Sequence, residues 1–479
     1  MGKLFDLLLH PDELAASIEA KYPRDPSKES KTLQRCYELL NLTSRSFAAV
    51  IQELHPELRD TVMLFYVILR GLDTVEDDMT LANEKKIPLL RGFKDVLARE
   101  DWTFHESGPN EKDRVVLEEF DKVLVEFHRI KKEYQEVIVD ITDKMGNGMA
   151  DYIVAEQQKN YEGVKTVDDY TTYCHHVAGV VGEGITRLAL ISKFGTSVLE
   201  EKPQLMESMG QFLQKTNIIR DFREDLDDGR SFWPREVWGK YAKELAEFTD
   251  PANEERALFC VSDLTVLSLQ HVTELLEYLQ NVREETLFSF CAIPQVMSIA
   301  TLELIFNNPA IFHRNVKIRR GLSARLIKES RDMEGVFQIF KDFTRRIHLK
   351  NRSKDPNFMR IEVLCGRIEQ YIDQHSTRQV PPQKTREDLE REDMEWKLVL
   401  SGIAGVGFAF GLMLIVAHFS GARFDLLWEE LVDGLKQFTD SSHVPSKHVI
   451  NKAAKSSRHA AYMASKAAAQ TLSSARDEL

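Results

Sequence analysis

The sequence predicts an all-α protein, and three observations support this class. Apolar residues recur at helical spacing between residues 30 and 370, as at Leu58, Val62, Phe65, Tyr66, Leu69 and Leu72. This region lacks convincing runs of alternating polar and apolar residues, which would indicate strands. Of the 479 residues, 43% are apolar, which suits one large helical domain with appendages. We expect the folded body to occupy residues 1–370.

The chain changes character after this body. Residues 371–397 contain two prolines and many charges, so they are predicted to form a polar linker. Residues 398–417 carry no charge, and at about 1.5 Å per helical residue this length spans a bilayer. A buried core helix is the alternative. We predict a transmembrane anchor there, followed by a basic, Ala/Ser-rich tail over residues 418–479.

The two termini bear on location. The chain ends in RDEL, which resembles the retrieval signal of the endoplasmic reticulum. This signal would be readable only if the tail were lumenal, the topology that a cytosolic body and one span would give. The short apolar run at the N-terminus is interrupted by Asp6 and does not fit a secretory signal. We expect a single-pass protein of the endoplasmic reticulum membrane whose body faces the cytosol.

Charge and cysteine content narrow the functional classes. The net charge of -13 argues against a nucleic-acid partner, because such proteins concentrate Lys and Arg on one face. The five cysteines lie far apart and show no zinc-site spacing, so reduced thiols are expected. They are Cys36, Cys174, Cys260, Cys291 and Cys365.

One acidic pattern occurs twice in the sequence. Residues 73–77 read DTVED and residues 221–225 read DFRED. On a helix, offsets of three and four place the carboxylates on one face, about 5 to 6 Å apart between Cβ atoms, where like charges repel. Mainly apolar residues precede each motif. A solvated acidic face is therefore a weaker interpretation than divalent cations held between the carboxylates of Asp73, Glu76, Asp77, Asp221, Glu224 and Asp225.

Magnesium fits this set because it prefers oxygen ligands and is commonly shared between carboxylates and phosphates. Two such faces opposed across a cavity would clamp a diphosphate and favour ionisation of its bond to carbon. Basic side chains could bind the phosphate oxygens, although each also suits an ordinary surface role. They are Arg45, Arg70, Arg220, Arg230, Lys317 and Arg319.

Three further features suggest a cavity with its own chemistry. Tyr173, beside His175 and His176, is a candidate proton donor or acceptor. Phe288 and Phe290 could line a pocket and stabilise a carbocation, although core packing is the commoner role. The glycines at 179, 182 and 184 match neither nucleotide-binding loop, so they are expected to let a ligand or a helix approach. A nicotinamide cofactor would bind outside a Rossmann fold.

Together these segments resemble the squalene synthases of the phytoene/squalene synthase family. The resemblance covers roughly residues 30–330, and the predicted anchor agrees with it, whereas the basic tail is not part of the usual pattern. The stretches that carry it are LTSRSFAAVIQ at 42–52, FYVILRGLDTVEDDMT at 65–80, YCHHVAGVVGEG at 173–184, FLQKTNIIRDFREDLDDGRSFWP at 212–234, FCAIPQVMSIATL at 290–302 and VKIRRG at 316–321.

The resemblance implies a single-domain isoprenoid-synthase helical bundle with a central cavity. We expect the catalytic body to be monomeric. Its implied reaction joins two farnesyl diphosphates head to head to give presqualene diphosphate. A second ionisation, a rearrangement and reduction by NADPH then give squalene. This formation of squalene would be the first committed step of sterol biosynthesis. The implied cofactors are Mg²⁺ and NADPH.

The resemblance also assigns residues. It implies that Asp73, Glu76, Asp77, Asp221 and Asp225 bind magnesium and diphosphate, with help from Gln214 and Asn217. Tyr173 would take the acid–base role, and Phe290, with Phe288 and Phe47, would shield the later cations. The residues implied to contact the phosphates of NADPH, or equally the substrate diphosphate, are Arg45, Arg70, Arg220, Lys317 and Arg319.

Two alternatives remain open from the sequence. A non-reducing dehydrosqualene or phytoene-type synthase would share both acidic motifs but omit the reduction, and VKIRRG and the anchor favour the reducing enzyme. A non-catalytic helical membrane scaffold would use the acidic motifs only for structure. The complete carboxylate sets at both motifs argue against a scaffold.

Overall fold

The structure is a computed structural model that describes residues 21–157 and 163–377, apart from the side chains of Arg45, Ser46 and Glu156. The described residues form helices and contain no β-strand, which confirms the all-α prediction. The predicted anchor (398–417), the tail (418–479) and most of the predicted linker lie outside the described residues.

The helices of the first half are α1 (Lys31–Thr43), α2 (Arg45–Gln52), α3 (Pro56–Asp77), α4 (Asn83–Val96), α5 (Val115–Glu118), α6 (Phe120–Phe127), α7 (Lys132–Glu156), α8 (Val167–Cys174), a π-helical segment (His175–Gly179) and α9 (Val180–Ile191). Those of the second half are α10 (Val198–Glu201), α11 (Pro203–Arg220), α12 (Phe222–Asp227), α13 (Arg235–Trp238), α14 (Glu254–Leu269), α15 (Val272–Gln280), α16 (Glu285–Ile305), α17 (Arg320–Glu329), α18 (Met333–Lys350) and α19 (Phe358–His375). Short 3₁₀ turns are Pro26–Lys28, Leu245–Thr249, Pro251–Asn253 and Pro309–Phe312.

The sequence of helix α3 explains both where the helix begins and where the first acidic motif lies. It begins at Pro56, which is favoured in the first turn because that position needs no backbone N–H donor. Its apolar side chains are buried, as their helical spacing predicted. It ends at Asp77, the last residue of the first acidic motif. The packed face therefore fixes where the carboxylates lie.

Helix α11 lies at the centre of the bundle, where it packs against the π-helical segment and helices α9, α14, α15 and α16. Two glycines permit this close packing. A Cβ atom on Gly182 would lie 2.8 Å from the carbonyl oxygen of Met206, and one on Gly210 would lie 2.6 Å from the carbonyl of Ala178. The Gly179–Gly184 stretch thus admits a neighbouring helix, one of the two roles predicted for it.

The C-terminal side of the body differs slightly from expectation. Helix α19 continues to His375, five residues beyond the predicted end of the body at residue 370. It continues because Ile368 and Ile372 are buried against the bundle and extend its apolar stripe. All five cysteines are buried and unbridged.

Within the described residues, one helix, α16, is long and apolar enough to cross a membrane by length and composition. Most of its apolar stretch is buried inside the bundle. This fits a central core helix.

A buried polar network lies behind α11. The imidazole of His271 contacts the ammonium of Lys215 at 2.9 Å and the hydroxyl of Ser208 at 3.0 Å. Burial and the neighbouring Lys215 lower the pKa of His271 to about 3. Folded His271 therefore stays neutral under mild acid, whereas the unfolded chain takes up a proton below about pH 6.5.

We expect this difference to destabilise the protein as the pH falls. Between pH 6.5 and pH 5 the loss should approach about 2 kcal/mol of unfolding free energy, since one pH unit corresponds to about 1.4 kcal/mol. Thermal unfolding at pH 7.5, 6.5 and 5 should show a larger fall in Tm for the native protein than for His271→Gln. Parallel curves for the two proteins would show that His271 does not contribute.

Candidate active site

An apolar cavity of about 410 Å³ runs through the bundle between α3, α9, α11 and α16. Its apolar wall would exclude water, and its polar groups cluster mainly where the first acidic motif lies. The sequence-predicted residues in its wall are Phe47, Arg70, Asp73, Glu76, Asp77, Tyr173, Gln214, Asn217 and Phe290. The structure therefore brings together residues from five of the sequence stretches that carry the family resemblance.

The first acidic motif forms the polar end of this cavity. Burial and the neighbouring Asp77 and Asp73 carboxylates raise the pKa of Glu76 to about 8. Burial raises the pKa of Asp73 to about 6, although the adjacent Arg70 opposes this shift. Such shifts mean that the negative charges are poorly compensated by solvent or by the chain. A bound cation would relieve them.

The second acidic motif begins at the C-terminal end of α11. Asp221 caps α11, and its carboxylate accepts a hydrogen bond of 2.7 Å from the Nε of Arg220. Asp225 follows one turn later on α12, and burial raises its pKa to about 7. Neither residue lines the cavity itself, so the second motif stands at its rim.

Arg230 joins the two motifs. Its guanidinium donates a hydrogen bond of 3.1 Å to Asp77 of the first motif and lies 3.5 Å from Asp225 of the second. It also donates to Asp228 at 3.2 Å. One guanidinium therefore reaches a carboxylate from each motif, so the fold brings the two motifs close together. That the two acidic faces are opposed across the cavity stays a prediction.

Arg70 supports the first motif from within α3. Its guanidinium lies 3.5 Å from Asp73 and donates a hydrogen bond of 3.3 Å to the hydroxyl of Tyr66. Its buried Nε makes no hydrogen bond with the described residues and lies 3.9 Å from the carboxylate of Asp113. A buried donor without a hydrogen bond is costly, so Arg70 is suited to receive an anionic ligand from the cavity.

Tyr173 lies in the cavity wall at the end of α8. Its ring is stacked against Phe232, with centroids 4.9 Å apart, and lies equally close to the ring of Tyr152. Burial and the nearby Glu76 carboxylate raise the pKa of Tyr173 well above its usual value. The group present at neutral pH is therefore a phenol rather than a phenolate.

The two candidate phenylalanines on α16 lie in different surroundings. Phe290 lines the cavity, whereas Phe288 is buried in the core and is absent from the cavity wall. Residues two apart on a helix are turned by about 200°, so one cavity cannot readily receive both rings from the same face. Phe47 on α2 also lines the cavity and stacks on Tyr66 with ring centroids 5.9 Å apart.

The predicted cofactor residues are less closely gathered. Lys317 and Arg319 are exposed just before α17. The same segment reaches the second motif, because Asn315 donates a hydrogen bond of 2.7 Å to Glu224. The backbone of Arg45 begins α2, but its side chain is outside the described atoms. His175 contacts Glu207 at 2.8 Å and does not line the cavity.

Sequence reasoning missed several residues of this region. Gln295 lies in the cavity wall with its side-chain nitrogen 3.1 Å from the carbonyl of Met209, and its buried Oε1 has no partner among the described residues. Phe232 and Tyr152 flank Tyr173. Phe232 lies in the GRSFWP stretch, shortly after the second motif. This position in the sequence was the only signal that it belongs to the site.

The carboxylates fit magnesium chemically, although they do not form a closed protein cage. Among the described residues, no group of three or more His, Cys, Asp or Glu side chains could hold a metal ion by itself. Magnesium commonly keeps several waters and shares its remaining ligands between a few carboxylates and substrate phosphates. Raised carboxylate pKa values at both motifs suit such an open site.

An all-helical bundle with two acidic motifs at one end of an apolar cavity defines a helical isoprenoid synthase. The family model for squalene/phytoene synthase matches residues 40–321. The chain is 54% identical over 431 residues to the squalene synthase of Yarrowia lipolytica, an alignment that covers 88% of this chain and 97% of that protein. The chain belongs to the squalene/phytoene synthase family, as the motifs predicted.

Further relatives agree with this assignment. The squalene synthase of Saccharomyces cerevisiae is 52% identical over 388 residues, covering 80% of this chain and 87% of that protein. A solved structure of TcSQS in complex with a ligand is 40% identical and superposes with a TM-score of 0.69. That alignment covers 72% of this chain and 99% of the solved chain.

The bridge made by Arg230 can be tested without an activity assay. Arg230→Met should lower Tm, because Asp77, Asp225 and Asp228 lose their shared cation. Added Mg²⁺ should then raise Tm more in this variant than in the native protein, since the ion no longer competes with the guanidinium. Differential scanning fluorimetry with and without EDTA would measure both effects.

Arg223→Met is the matched control, because Arg223 pairs with the exposed Asp227 on the same helix, α12. It should leave the Mg²⁺ response unchanged. An equal Mg²⁺ response in Arg230→Met and the native protein would contradict the inference that Mg²⁺ and the guanidinium of Arg230 bind in the same place.

Proposed function

We propose that this chain is a squalene synthase that joins two farnesyl diphosphates head to head and reduces the product with NADPH. The observation that carries the proposal is the pair of acidic motifs, bridged by Arg230, at one end of an apolar cavity. The relatives named squalene synthase support the same reaction. The cavity wall is suited to farnesyl chains, which are hydrocarbon.

Asp73, Glu76 and Asp77 would hold magnesium on one side, and Asp221 and Asp225 on the other. Bound Mg²⁺ would supply neutralisation of the leaving diphosphate. The chain adds its own donors for the diphosphate oxygens. They are Arg70, Arg220 and Arg230 with the amide side chains of Gln214 and Asn217. Gln214 and Asn217 lie one turn apart on α11, on the stripe that leads to Asp221.

Tyr173 would act as acid and then as base in the first half of the reaction. Its neutral phenol can donate its proton to a diphosphate oxygen as the carbon–oxygen bond of one farnesyl diphosphate breaks. The double bond of the second farnesyl diphosphate attacks the resulting cation. The phenolate then takes the proton that is lost when the cyclopropane ring of presqualene diphosphate closes. The phenol is thereby regenerated.

Aromatic rings would protect the cations of the second half. Phe290 and Phe47 both lie in the cavity wall, and the faces of aromatic rings attract positive charge. The apolar wall keeps water away, which would otherwise trap the cations as alcohols. Phe288 would act only indirectly, because it packs in the core behind this wall.

NADPH would supply the hydride that quenches the last cation. We propose that its phosphates contact Lys317 and Arg319, with Arg45, Arg70 and Arg220 as further donors. The support is that the segment before α17 is tied to the second motif through Asn315 and Glu224. The exposed Lys317 is therefore on the side of the molecule where the carboxylates lie.

We also propose that residues 398–417 anchor the enzyme in the endoplasmic reticulum membrane, with the catalytic body in the cytosol. The support is the charge-free run of 20 residues in the sequence. A membrane location suits the chemistry, because squalene is a hydrocarbon that partitions into the bilayer. We expect the catalytic body to be monomeric and propose no nucleic-acid partner.

Product analysis separates this function from its two rivals. The full-length protein in detergent, given farnesyl diphosphate and Mg²⁺, should form squalene only when NADPH is present. Without NADPH, presqualene diphosphate should accumulate. Gas chromatography with mass spectrometry would identify the hydrocarbons, and liquid chromatography would identify the diphosphates.

Other outcomes identify the alternatives. Dehydrosqualene formed equally with and without NADPH would indicate the non-reducing synthase. A folded protein that releases no diphosphate at all would favour the scaffold.

The metal clamp predicts a large effect at the second motif. Asp225→Asn keeps the shape of the side chain but removes the charge, and should lower turnover by about a hundredfold or more. Asp227→Asn is the matched control, since Asp227 lies two residues away, is mostly exposed and pairs with Arg223. Steady-state kinetics should show loss only in Asp225→Asn. Full activity of that variant would remove the metal-clamp argument.

A further inference from the structure

Three aromatic rings meet at one point beside the cavity. Tyr152 comes from α7, Tyr173 from the end of α8 and Phe232 from the loop after α12. The centroids of Tyr173 and Phe232 are 4.9 Å apart, and their planes are only 21° from parallel. Tyr152 lies 4.9 Å from Tyr173 and 5.9 Å from Phe232. Each ring thus contacts both of the others.

These ring contacts restrain the side chain of Tyr173, which also packs against the core. Within the part of the chain that the structure describes, its hydroxyl makes no hydrogen bond that would fix the ring. Stacked and tilted aromatic pairs are each worth about 0.5 to 1.5 kcal/mol beyond the burial of their area. Two such pairs are enough to favour one rotamer of Tyr173 strongly.

Phe232 is itself held from two sides. Its neighbour Trp233 donates a hydrogen bond of 3.1 Å to the carbonyl oxygen of Ile218 on α11. On the other side, the backbone N–H of Arg230 donates to the carbonyl oxygen of Asp225 at 2.8 Å. The guanidinium of Arg230 also lies 5.8 Å from the ring centroid of Phe232. The loop is therefore fixed between the second motif and α11.

We propose that Phe232, with Tyr152, is a positioning residue that holds the phenol of Tyr173 in its catalytic orientation. This inference rests on the acid–base role proposed above for Tyr173. Phe232 is buried and does not line the cavity, so it acts through Tyr173 rather than on the substrate. The same loop carries Arg230, so the phenol is oriented by the segment that bridges the two acidic motifs.

Phe232→Leu tests the proposal, because leucine fills much of the space but offers no ring face. Single-turnover formation of presqualene diphosphate, without NADPH, should fall by about tenfold to a hundredfold, as expected for a misplaced catalytic group. The KM for farnesyl diphosphate should change little. Conversion of supplied presqualene diphosphate to squalene should also change little, because the acid–base step precedes it.

Two further variants separate positioning from folding. Phe232→Tyr keeps the ring and should restore most of the first-half rate. Phe248→Leu removes a buried ring from the cluster with Phe222 and Trp233, on the other side of the same loop. It should lower Tm as Phe232→Leu does, yet leave the ratio of the two half-reaction rates unchanged. If Phe232→Leu does not fold, Tyr152→Leu can replace it in the same measurements, because it removes the other ring that contacts Tyr173.

The outcomes are distinct. A folded Phe232→Leu protein with a native first-half rate overturns the inference. Equal losses in both half-reactions, without rescue by Phe232→Tyr, also overturn it, since they indicate a structural role alone. Tyr173→Phe, measured in parallel, tests the underlying role. If that variant still forms presqualene diphosphate at the native rate, the proposed function of Tyr173 fails, whatever Phe232→Leu does.

Discussion

The polar end of the cavity depends on one physical constraint, the poor solvation of closely spaced carboxylates. Glu76 and Asp225 lie in surroundings that raise their pKa to about 8 and about 7, because burial and neighbouring carboxylates disfavour their charges. The chain supplies a counter-ion in Arg230, which reaches Asp77 and Asp225 at once. A cation bound there would relieve these charges. In the proposed reaction, a metal ion would do so at the place where the diphosphate leaves.

Close helix packing supports the helix that leads to the second motif. Helix α11 ends at the second motif and runs beside α9 and the π-helical segment. Gly182 and Gly210 allow backbone-to-backbone contact there, where a Cβ atom would meet a carbonyl group. These two glycines bring α9 and α11 together beside the cavity, and both glycines line its wall.

Much of this arrangement could be predicted from the sequence, because its signals are local. Helical periodicity gives the all-α class, and the repeated spacing of carboxylates gives both motifs and their shared face. Tertiary placement could not be read in the same way. Phe288 and Phe290 look equivalent in sequence, yet one packs in the core and the other lines the cavity. The contact of Phe232 with Tyr173 joins residues that are distant in sequence, and no local pattern marks it.

The segment from Asp221 to Pro234 shows why the site is compact. Within a few turns it provides two carboxylates of the clamp, the guanidinium that bridges to the first motif, and the ring that stacks on Tyr173. The hydrogen bond from Trp233 to Ile218 fastens this segment to α11. In the proposed mechanism, the groups for charge neutralisation and for proton transfer would thus share one support. Two groups that must act on the same breaking bond keep their relative positions best when the same short stretch of chain fixes both.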